Sequence, residues 1–377
     1  MKSLVIAPRF PWPSYTGDRL RASSWISALA SSGEVALVAP RGTIPATVPT
    51  LRFYGARTSA RGGIRGAMTI LRERLPLQCL LAAPYDWPRA IAEARRDVGP
   101  FDVTMVLLSR MHPWVRESLE GRTILDAVDS LRRSAGERRR AALPFTRWLW
   151  DIEERRMARL EHDVARSYGQ VVVVSDDETA EFGDAVAVTI GVEAKPLDDS
   201  PRGYDFGFWG RLPYFANADA AAWLLDEIWP AIRALHPPAT LIIGGAEASR
   251  RLRNNARRSG VTLVSPVGDM PAFARNIHVA LMPLRYGSGQ ATKVLEAAEA
   301  GCAIVGTPTA LRGLGALAPH TRIESSATEL ARAAVELLTD ADARARMTAR
   351  LRDVIATHYD RSASLRRLSA IAAAELR

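Results

Sequence analysis

Cysteine is almost missing from this chain of 377 residues: only Cys79 and Cys302 occur, far apart in sequence. Such usage excludes a disulfide framework and points to a reducing compartment. Neither belongs to a Cys-x-x-Cys pair, and the histidines (His112, His162, His236, His278, His320 and His358) never fall at short ligand spacing. No metal site is expected. Long apolar runs are lacking too. None approaches the roughly 18 residues of a membrane span. The opening MKSLVIAPRFPWP has an apolar run of only about five, short of the ~7–15 of a signal-peptide core, and reads instead as a first β-strand. Lysine is the third scarcity. Lys2, Lys195 and Lys293 are the only lysines among 50 basic residues, so the net charge of +9 rests on arginine. A lysine is a compact point charge for phosphate where arginine is a planar fork, and its placement therefore draws attention.

What is present is the composition of a soluble globular protein, 47% apolar and 24% charged, in a chain long enough for two domains. Short β-branched runs alternate with helical stretches. Strand candidates are 3–7, 34–39, 103–108, 123–128, 170–175 and 185–190, then 205–210, 239–245, 260–265, 278–284 and 302–307. Helical segments lie at 18–32, 145–168, 216–235, 247–258, 290–300 and 325–356. Near-continuous apolar strands with helices between them indicate parallel sheets covered on both faces. The stretch EAKPLDDSPRGYD at 193–205 has little to bury and reads as a linker, centred on 195–202. The expected fold class is α/β: two Rossmann-like doubly wound domains, 1–194 and 203–359, facing a cleft. A C-terminal helix at about 360–377 is expected to pack back on the first. Ligands of such sheets bind beyond the carboxyl ends of the strands.

After the first strand, PRFPWPSYTGDRLRASSWISALA delivers Gly17 to a helix start, flanked by Asp18, Arg19 and Arg21. A glycine there lets a ligand approach the backbone, and the first amides of the helix face an anion. An ordinary capped turn is the plainer alternative. After TILDAV come Asp126, Asp129 and Ser130. The carboxylates are candidates for holding an acceptor hydroxyl or acting as a base, while Asp129 or Ser130 equally suits a helix cap. SDDE at 175–178 is a capping box, Ser175 with Glu178, and reads as structural. In the second half FGFWGRL sets Gly210 and Arg211 at a strand end, where the arginine suits a diphosphate clamp or an exposed helix lead. Gly268 and Asp269 precede a short helix as a cap or a base-contacting turn.

The densest signal is YGSGQATKVLEAAEAG. It turns on Gly287 and Gly289, begins a helix near Gln290, and places Lys293 in its first turn and Glu296 one turn on. The amides of residues 288–291 form a nest of donors, Lys293 adds charge above them, and Glu296 can accept two hydroxyls such as those of a ribose. A surface i,i+3 ion pair, worth ~0.2–0.5 kcal/mol, explains neither the glycines nor the scarce lysine.

Here the sequence resembles a family. LMPLRYGSGQATKVLEAAEAGCAIVGTP resembles the signature of glycosyltransferase family 4-type enzymes with the GT-B fold. The opening PRFPWPSYTGDRLRASSWISALA looks like that of its bacterial exopolysaccharide-associated sugar transferases. WGRLPYFANADAAAWLLDEIWPAI, GDMPAFARNIHVALMPL and RRMARLEHDVARSYGQVVVVSDDE match in order and spacing. The likeness covers roughly 1–40 and 120–310, and 41–120 poorly. It implies retaining transfer from a nucleotide diphosphate sugar to a glycan, lipid-linked or small-molecule acceptor, without an obligatory metal or cofactor, in surface polysaccharide synthesis. Glu296 would hold the ribose, Lys293 and Arg211 would neutralise the diphosphate, and Ser288, Gly289 and Gln290 would cradle it. Catalysis would then lie mostly in stabilising phosphate charge, the leaving phosphate taking the acceptor proton on the same face. Asp18 and Asp129 are the acceptor-side candidates. The chain departs from the family where Ser288 replaces the first glutamate of a pair, and where Gln290 and Ala291 replace Thr-Arg.

Residues 41–74 hold seven arginines against Glu73, and 132–159 hold nine against four acids with Phe145, Trp148 and Trp150 interleaved. A basic, aromatic N-terminal domain suits the inner face of an anionic membrane for an otherwise cytoplasmic protein; a solvated helix face is the alternative. No motif supports nucleic acid as a partner. The competing functions are a catalytically inactive GT-B subunit that binds nucleotide or glycan, and a sugar-nucleotide epimerase. An NAD-dependent oxidoreductase is disfavoured, because IAPRFPWPSYTG lacks Gly-x-Gly-x-x-Gly.

Overall fold

A computed structural model describes residues 1–14, 16–45, 51–193, 196 and 201–374. Contacts divide the chain into two compact units, Met1–Ile190 with the chain from Ser362 onward, and Gly191–Arg361. The linker expected at 195–202 falls mostly outside the described residues.

The first unit is built on β1 (Lys2–Ile6), β2 (Glu34–Ala39), β3 (Leu51–Gly55), β4 (Val103–Leu107), β5 (Arg122–Val128), β6 (Gln170–Val173) and β7 (Val186–Ala187). They form one sheet in the order β3-β2-β1-β4-β5-β6-β7, every pairing parallel. β4 is buried at every position, which only a sheet covered on both faces allows. Period two sorts the side chains. Leu4, Ile6, Val106 and Leu125 enter one core, and Val5, Ala7, Met105 and Ile124 enter the other. The C-terminal helix Arg361–Ala373 joins the second of these cores through Leu368 and Ala372, and Ser369 Oγ donates to the carbonyl of Ala28 at 3.0 Å.

The second unit holds β8 (Tyr204–Arg211), β9 (Leu241–Ala246), β10 (Thr262–Val264), β11 (Ile277–Met282), β12 (Ala303–Gly306) and β13 (Arg322–Ile323), in the parallel order β10-β9-β8-β11-β12-β13. The helix expected over 216–235 is present from Phe215 to Leu235 but carries a π turn at Leu224–Ile228. Pro230, just beyond, has no N–H to continue the ladder, and the wider turn absorbs the gap. The long helix expected over 325–356 is two, Ala327–Thr339 and Ala341–His358, because Asp340 caps the second by accepting from Ala343 N at 2.8 Å. The strand expected over 185–190 shrinks to β7.

In each sheet the strand order reverses direction once, between β1 and β4 and between β8 and β11. Crevices beyond the carboxyl ends of those pairs are where open parallel sheets bind ligands. The segments that leave β1, β4, β8 and β11 there are 7–16, 108–111, 212–214 and 283–291.

Candidate functional site

In the second unit, the penultimate residue of β8 is Gly210, whose φ is +149°, a value side-chain-bearing residues rarely adopt. A Cβ there would lie 2.9 Å from both Lys293 Nζ and Asn217 Nδ2, so only glycine lets those two groups reach the strand end. Gly245, its register partner on β9, is held to glycine by the same crowding, since a Cβ would sit 1.8 Å from the Gly210 carbonyl oxygen.

Lys293 rises from the helix Thr292–Glu299, lies 4.6 Å over the Phe208 ring and donates to Asn217 Oδ1. Asn217 in turn donates from Nδ2 to the Arg211 carbonyl at 2.8 Å, which fixes the orientation of its amide. Burial pushes the Lys293 ammonium down to about 7, and the charge of Glu296 offsets part of that. Glu296 accepts from Trp209 Nε1 at 2.8 Å, and burial raises its carboxyl above the usual range. Each side chain thus has its own anchor, and both are partly buried. The exposed i,i+3 pair is not what forms.

The loop between β11 and this helix turns on Gly287 (φ +156°) and Gly289 (φ +65°). Arg312 Nη1 donates to the Gly287 carbonyl at 2.7 Å. The helix starts at Thr292 rather than near Gln290, with Ala291 as its N-cap and no side-chain cap. Its first-turn amides therefore stand one to two residues later than the sequence pattern indicated. Arg211 is exposed and pairs with Glu247 at 3.3 Å. Asp269 is a helix cap, accepting from Ala272 N at 3.0 Å. Gly268 lies in an exposed turn past β10, the edge strand of the second sheet.

In the first unit Gly17 opens the helix Gly17–Ala30, and Thr16, its N-cap, makes no side-chain cap bond. Thr16 Oγ1 donates instead to Asp18 Oδ1 at 2.6 Å, and Arg9 reaches Asp18 Oδ2 at 3.2 Å. Arg19 donates to the Pro13 carbonyl at 3.4 Å. Asp126 corrects the sequence reading. It is fully buried, binds Arg21 and the Trp25 indole, and accepts from Val128 N at 2.9 Å. An acceptor cannot reach it. The alternation of β5 turns Asp126 inward, beneath the helix that carries Arg21.

Asp129 leaves β5 through a tight turn in which its N–H bonds the Ala127 carbonyl at 2.8 Å and Val128 sits at φ +63°. A β-branched residue in that region is strained, a condition that clusters at functional sites. Ser130, not Asp129, is the cap: its Oγ accepts from Arg133 N at 3.2 Å. Two carboxylates from elsewhere complete this helix start. Glu161 binds Ser130 Oγ and Leu131 N at 2.7 Å each, and Glu178 accepts from Ser130 N at 2.6 Å. Burial lifts the Glu161 carboxyl to about 8, against the pull of those bonds. Glu178, read as half of a capping box, is thus also a tie between segments, while Ser175 does cap through Asp177 N.

Sequence reasoning missed Arg110. It sits in the turn Ser109–Met111 after β4 and is 8% exposed, and its Nε has no partner among the described residues. The charges that act on it are those of Arg9, Asp18 and Asp129, and burial lowers its pKa. Leu108, just before it, is strained at φ +71°. An arginine three residues past a fully buried strand was the available signal. Asn217 was also missed, although it is a polar residue in a helix otherwise rich in alanine. Among the described residues, no group of three or more His, Cys, Asp or Glu is arranged to hold a metal ion.

Comparisons with known proteins bear on the fold. Residues 203–340 match the family described as "Glycosyl transferases group 1". A search of curated proteins finds no match. Among solved structures, the chain is similar to a sucrose-phosphate synthase from Thermosynechococcus elongatus, with a TM-score of 0.76, 13% identity and 98% of each chain covered. WaaG, a glycosyltransferase involved in lipopolysaccharide biosynthesis, matches at 0.69 with 14% identity over all of both chains. Anabaena HepE, solved in complex with UDP and glucose, matches at 0.69 with 12% identity over 98% of this chain and 99% of that one. The fold is GT-B, as the resemblance in the sequence implied.

Proposed function

We propose that this chain is a retaining glycosyltransferase that moves a sugar from a nucleoside diphosphate sugar to a glycan, lipid-linked or small-molecule acceptor. One observation carries the reading. Lys293, one of three lysines in an arginine-rich chain, is held against Asn217 and Phe208 beside Gly210 near the end of β8, where the order of the second sheet reverses. A partly buried ammonium with a depressed pKa is costly to charge without an anion, and a diphosphate is the anion such a site accommodates.

In this reading Lys293 and the first amides of the 292–299 helix stabilise charge on the leaving diphosphate, with Arg211 adding a second cation at the strand end. Glu296, oriented by Trp209, accepts the ribose hydroxyls. The bond from the anomeric carbon to the phosphate oxygen breaks, the acceptor oxygen bonds to that carbon on the same face, and the acceptor proton passes to the departing phosphate oxygen. Neither metal nor cofactor takes part. Asp18 and Asp129, at the carboxyl end of the first sheet, serve the acceptor hydroxyls. The UDP and glucose bound to HepE and the lipopolysaccharide role of WaaG support a uridine donor and a place in surface glycan synthesis.

The test is a thermal-shift panel against UDP, GDP, ADP, TDP and CMP, with Lys293→Ala as control. At about 100 times its Kd, the right nucleotide adds ~2.7 kcal/mol of stability to the wild type. No shift from any nucleotide removes the donor site. The second reading, an inactive nucleotide- or glycan-binding subunit, is motivated by Ser288 at the position of the first paired glutamate. It predicts a nucleotide shift with neither donor hydrolysis nor transfer.

A further inference from the structure

Among the described residues, twelve large apolar side chains are exposed, and ten of them fall in two stretches of the first unit. One stretch is 60–81, with Ile64, Met68, Leu71, Leu77, Leu80 and Leu81. The other is 138–149, with Leu143, Phe145, Trp148 and Leu149. Leu71 is 75% exposed, Phe145 72% and Trp148 60%. Soluble monomers scatter such residues singly, and a contiguous set marks a binding surface.

The two stretches are joined. The helix Ala60–Glu73 buries only Gly66 and Ile70, and it is seated by the close approach of Gly66 to Ala83, where a Cβ would meet the Ala83 Cβ at 2.3 Å. The turn Leu77–Leu81 follows it. The N–H groups of Leu77 and Gln78 donate to Glu153 at 2.7 and 2.9 Å, and Arg156 donates to the Leu75 carbonyl at 3.1 Å. Glu153 and Arg156 belong to the helix Arg147–Ser167, whose first turns carry Trp148 and Leu149. Leu149 stands about one helical turn, ~6 Å along the axis, before Glu153, whose carboxylate fastens the other stretch.

Charge identifies what covers this surface. The stretches carry Arg61, Arg65, Arg72, Arg74, Arg138, Arg139, Arg140 and Arg147 against one acid, Glu73, which pairs with Arg72 at 3.0 Å. Acids just outside them, Glu154 and Glu137, pair with Arg139 at 2.9 Å and Arg140 at 3.3 Å and leave the balance strongly positive. On the Ala60–Glu73 helix, Ile64, Met68 and Leu71 fall within an arc of about 60°, and Arg61, Arg65 and Arg72 line the adjacent side. A second copy of the chain would set like charges against each other across a two-fold interface. We propose that this surface docks the protein on an anionic lipid bilayer, with the apolar side chains entering the headgroup boundary and the arginines on lipid phosphates. Apolar residues on one arc with flanking arginines form the pattern of a helix lying in the plane of a membrane, and tryptophan at its edge suits the headgroup level. Among the described residues no helix is long and apolar enough to cross a membrane, so the contact is peripheral. The inference goes beyond the transfer reading and does not depend on it.

Co-sedimentation with vesicles tests it, using phosphatidylcholine alone and phosphatidylcholine mixed with phosphatidylglycerol. The wild type is expected to bind the anionic vesicles, less so at high salt, and to leave the neutral ones in solution. Phe145→Ser with Trp148→Ser, and separately Arg139→Gln with Arg140→Gln and Arg147→Gln, should each reduce binding roughly tenfold or more. These side chains are exposed, so both variants should keep the wild-type circular dichroism spectrum and a thermal midpoint close to that of the wild type, which reports that they fold. Absence of binding by the wild type overturns the proposal, as does binding unaffected by the aromatic pair. So does a wild-type dimer in sedimentation velocity that the aromatic variant abolishes, or capture by polyglutamate that displaces the vesicles and ignores Phe145 and Trp148.

Discussion

Titrating the affinity for a nucleotide sugar against pH probes Lys293 directly. Burial holds the free ammonium down to about 7. If the bound diphosphate accepts only the protonated form, the observed Kd scales as 1 + 10^(pH − pKa) while the complex stays protonated. With a pKa of about 7 the factor is about 1.1 at pH 6 and about 11 at pH 8, a tenfold weakening worth about 1.4 kcal/mol. A nucleotide sugar is the correct ligand, because a terminal phosphate monoester would itself titrate near pH 6 and mask the effect. Calorimetry in buffers of different ionisation enthalpy reads the same event as proton uptake, about half a proton per site at pH 7 and about nine-tenths at pH 8. Lys293→Met should abolish the uptake along with most of the affinity. Stability of the ligand-free protein carries its own sign. The folded pKa lies below the unfolded value near 10.4, so the folded state binds fewer protons between about pH 7 and 10 and this group's contribution to stability rises with pH there. Lys293→Met should flatten that rise. An affinity independent of pH, or a proton uptake that survives Lys293→Met, refutes the assignment.

Gly210→Ala places a methyl 2.9 Å from Lys293 Nζ and Asn217 Nδ2 at φ +149°; it should cost ~1–3 kcal/mol in urea unfolding and remove the nucleotide shift, and a silent outcome in both assays contradicts the packing argument. Asp126→Ala leaves the Arg21 guanidinium buried without its carboxylate, so a loss of ~3–5 kcal/mol is expected in urea; a loss below about 1 kcal/mol would show that water reaches the pair. Arg110→Met removes a buried cation whose Nε is unpartnered among the described residues. Unfolding should show equal or greater stability, by up to ~1–4 kcal/mol, while glycosyl transfer falls, and marked destabilisation would make Arg110 structural instead.

Much of this protein was legible in one dimension. Apolar β-branched runs separated by helical segments announced parallel sheets, because a strand covered on both faces has no polar side to display. Gly287, Gly289, Lys293 and Glu296 lie within one turn-and-helix, so their proximity follows from local geometry alone. The segment 41–120 was read less well. Its strand β3 and the helix Ala60–Glu73 carry arginines and glycines where a periodic apolar face was sought, and that helix buries only two residues.

The sequence by itself determined the fold class and the local shape of the glycine-rich turn, because both arise from side-chain periodicity and the backbone preferences of neighbouring residues. Only the tertiary structure decided which charged groups are buried and which distant groups they meet. Asp126 and Asp129 are three residues apart on one strand and its exit. The first is buried against Arg21, 105 positions away, and the second lies past a strained turn. Lys293 meets Asn217 across 76 positions, and the charges of Asp18 and Asp129 act on Arg110 from other segments of the chain. Burial and charge pairing are set by distances in space, and sheet order brings residues together without regard to their separation along the chain.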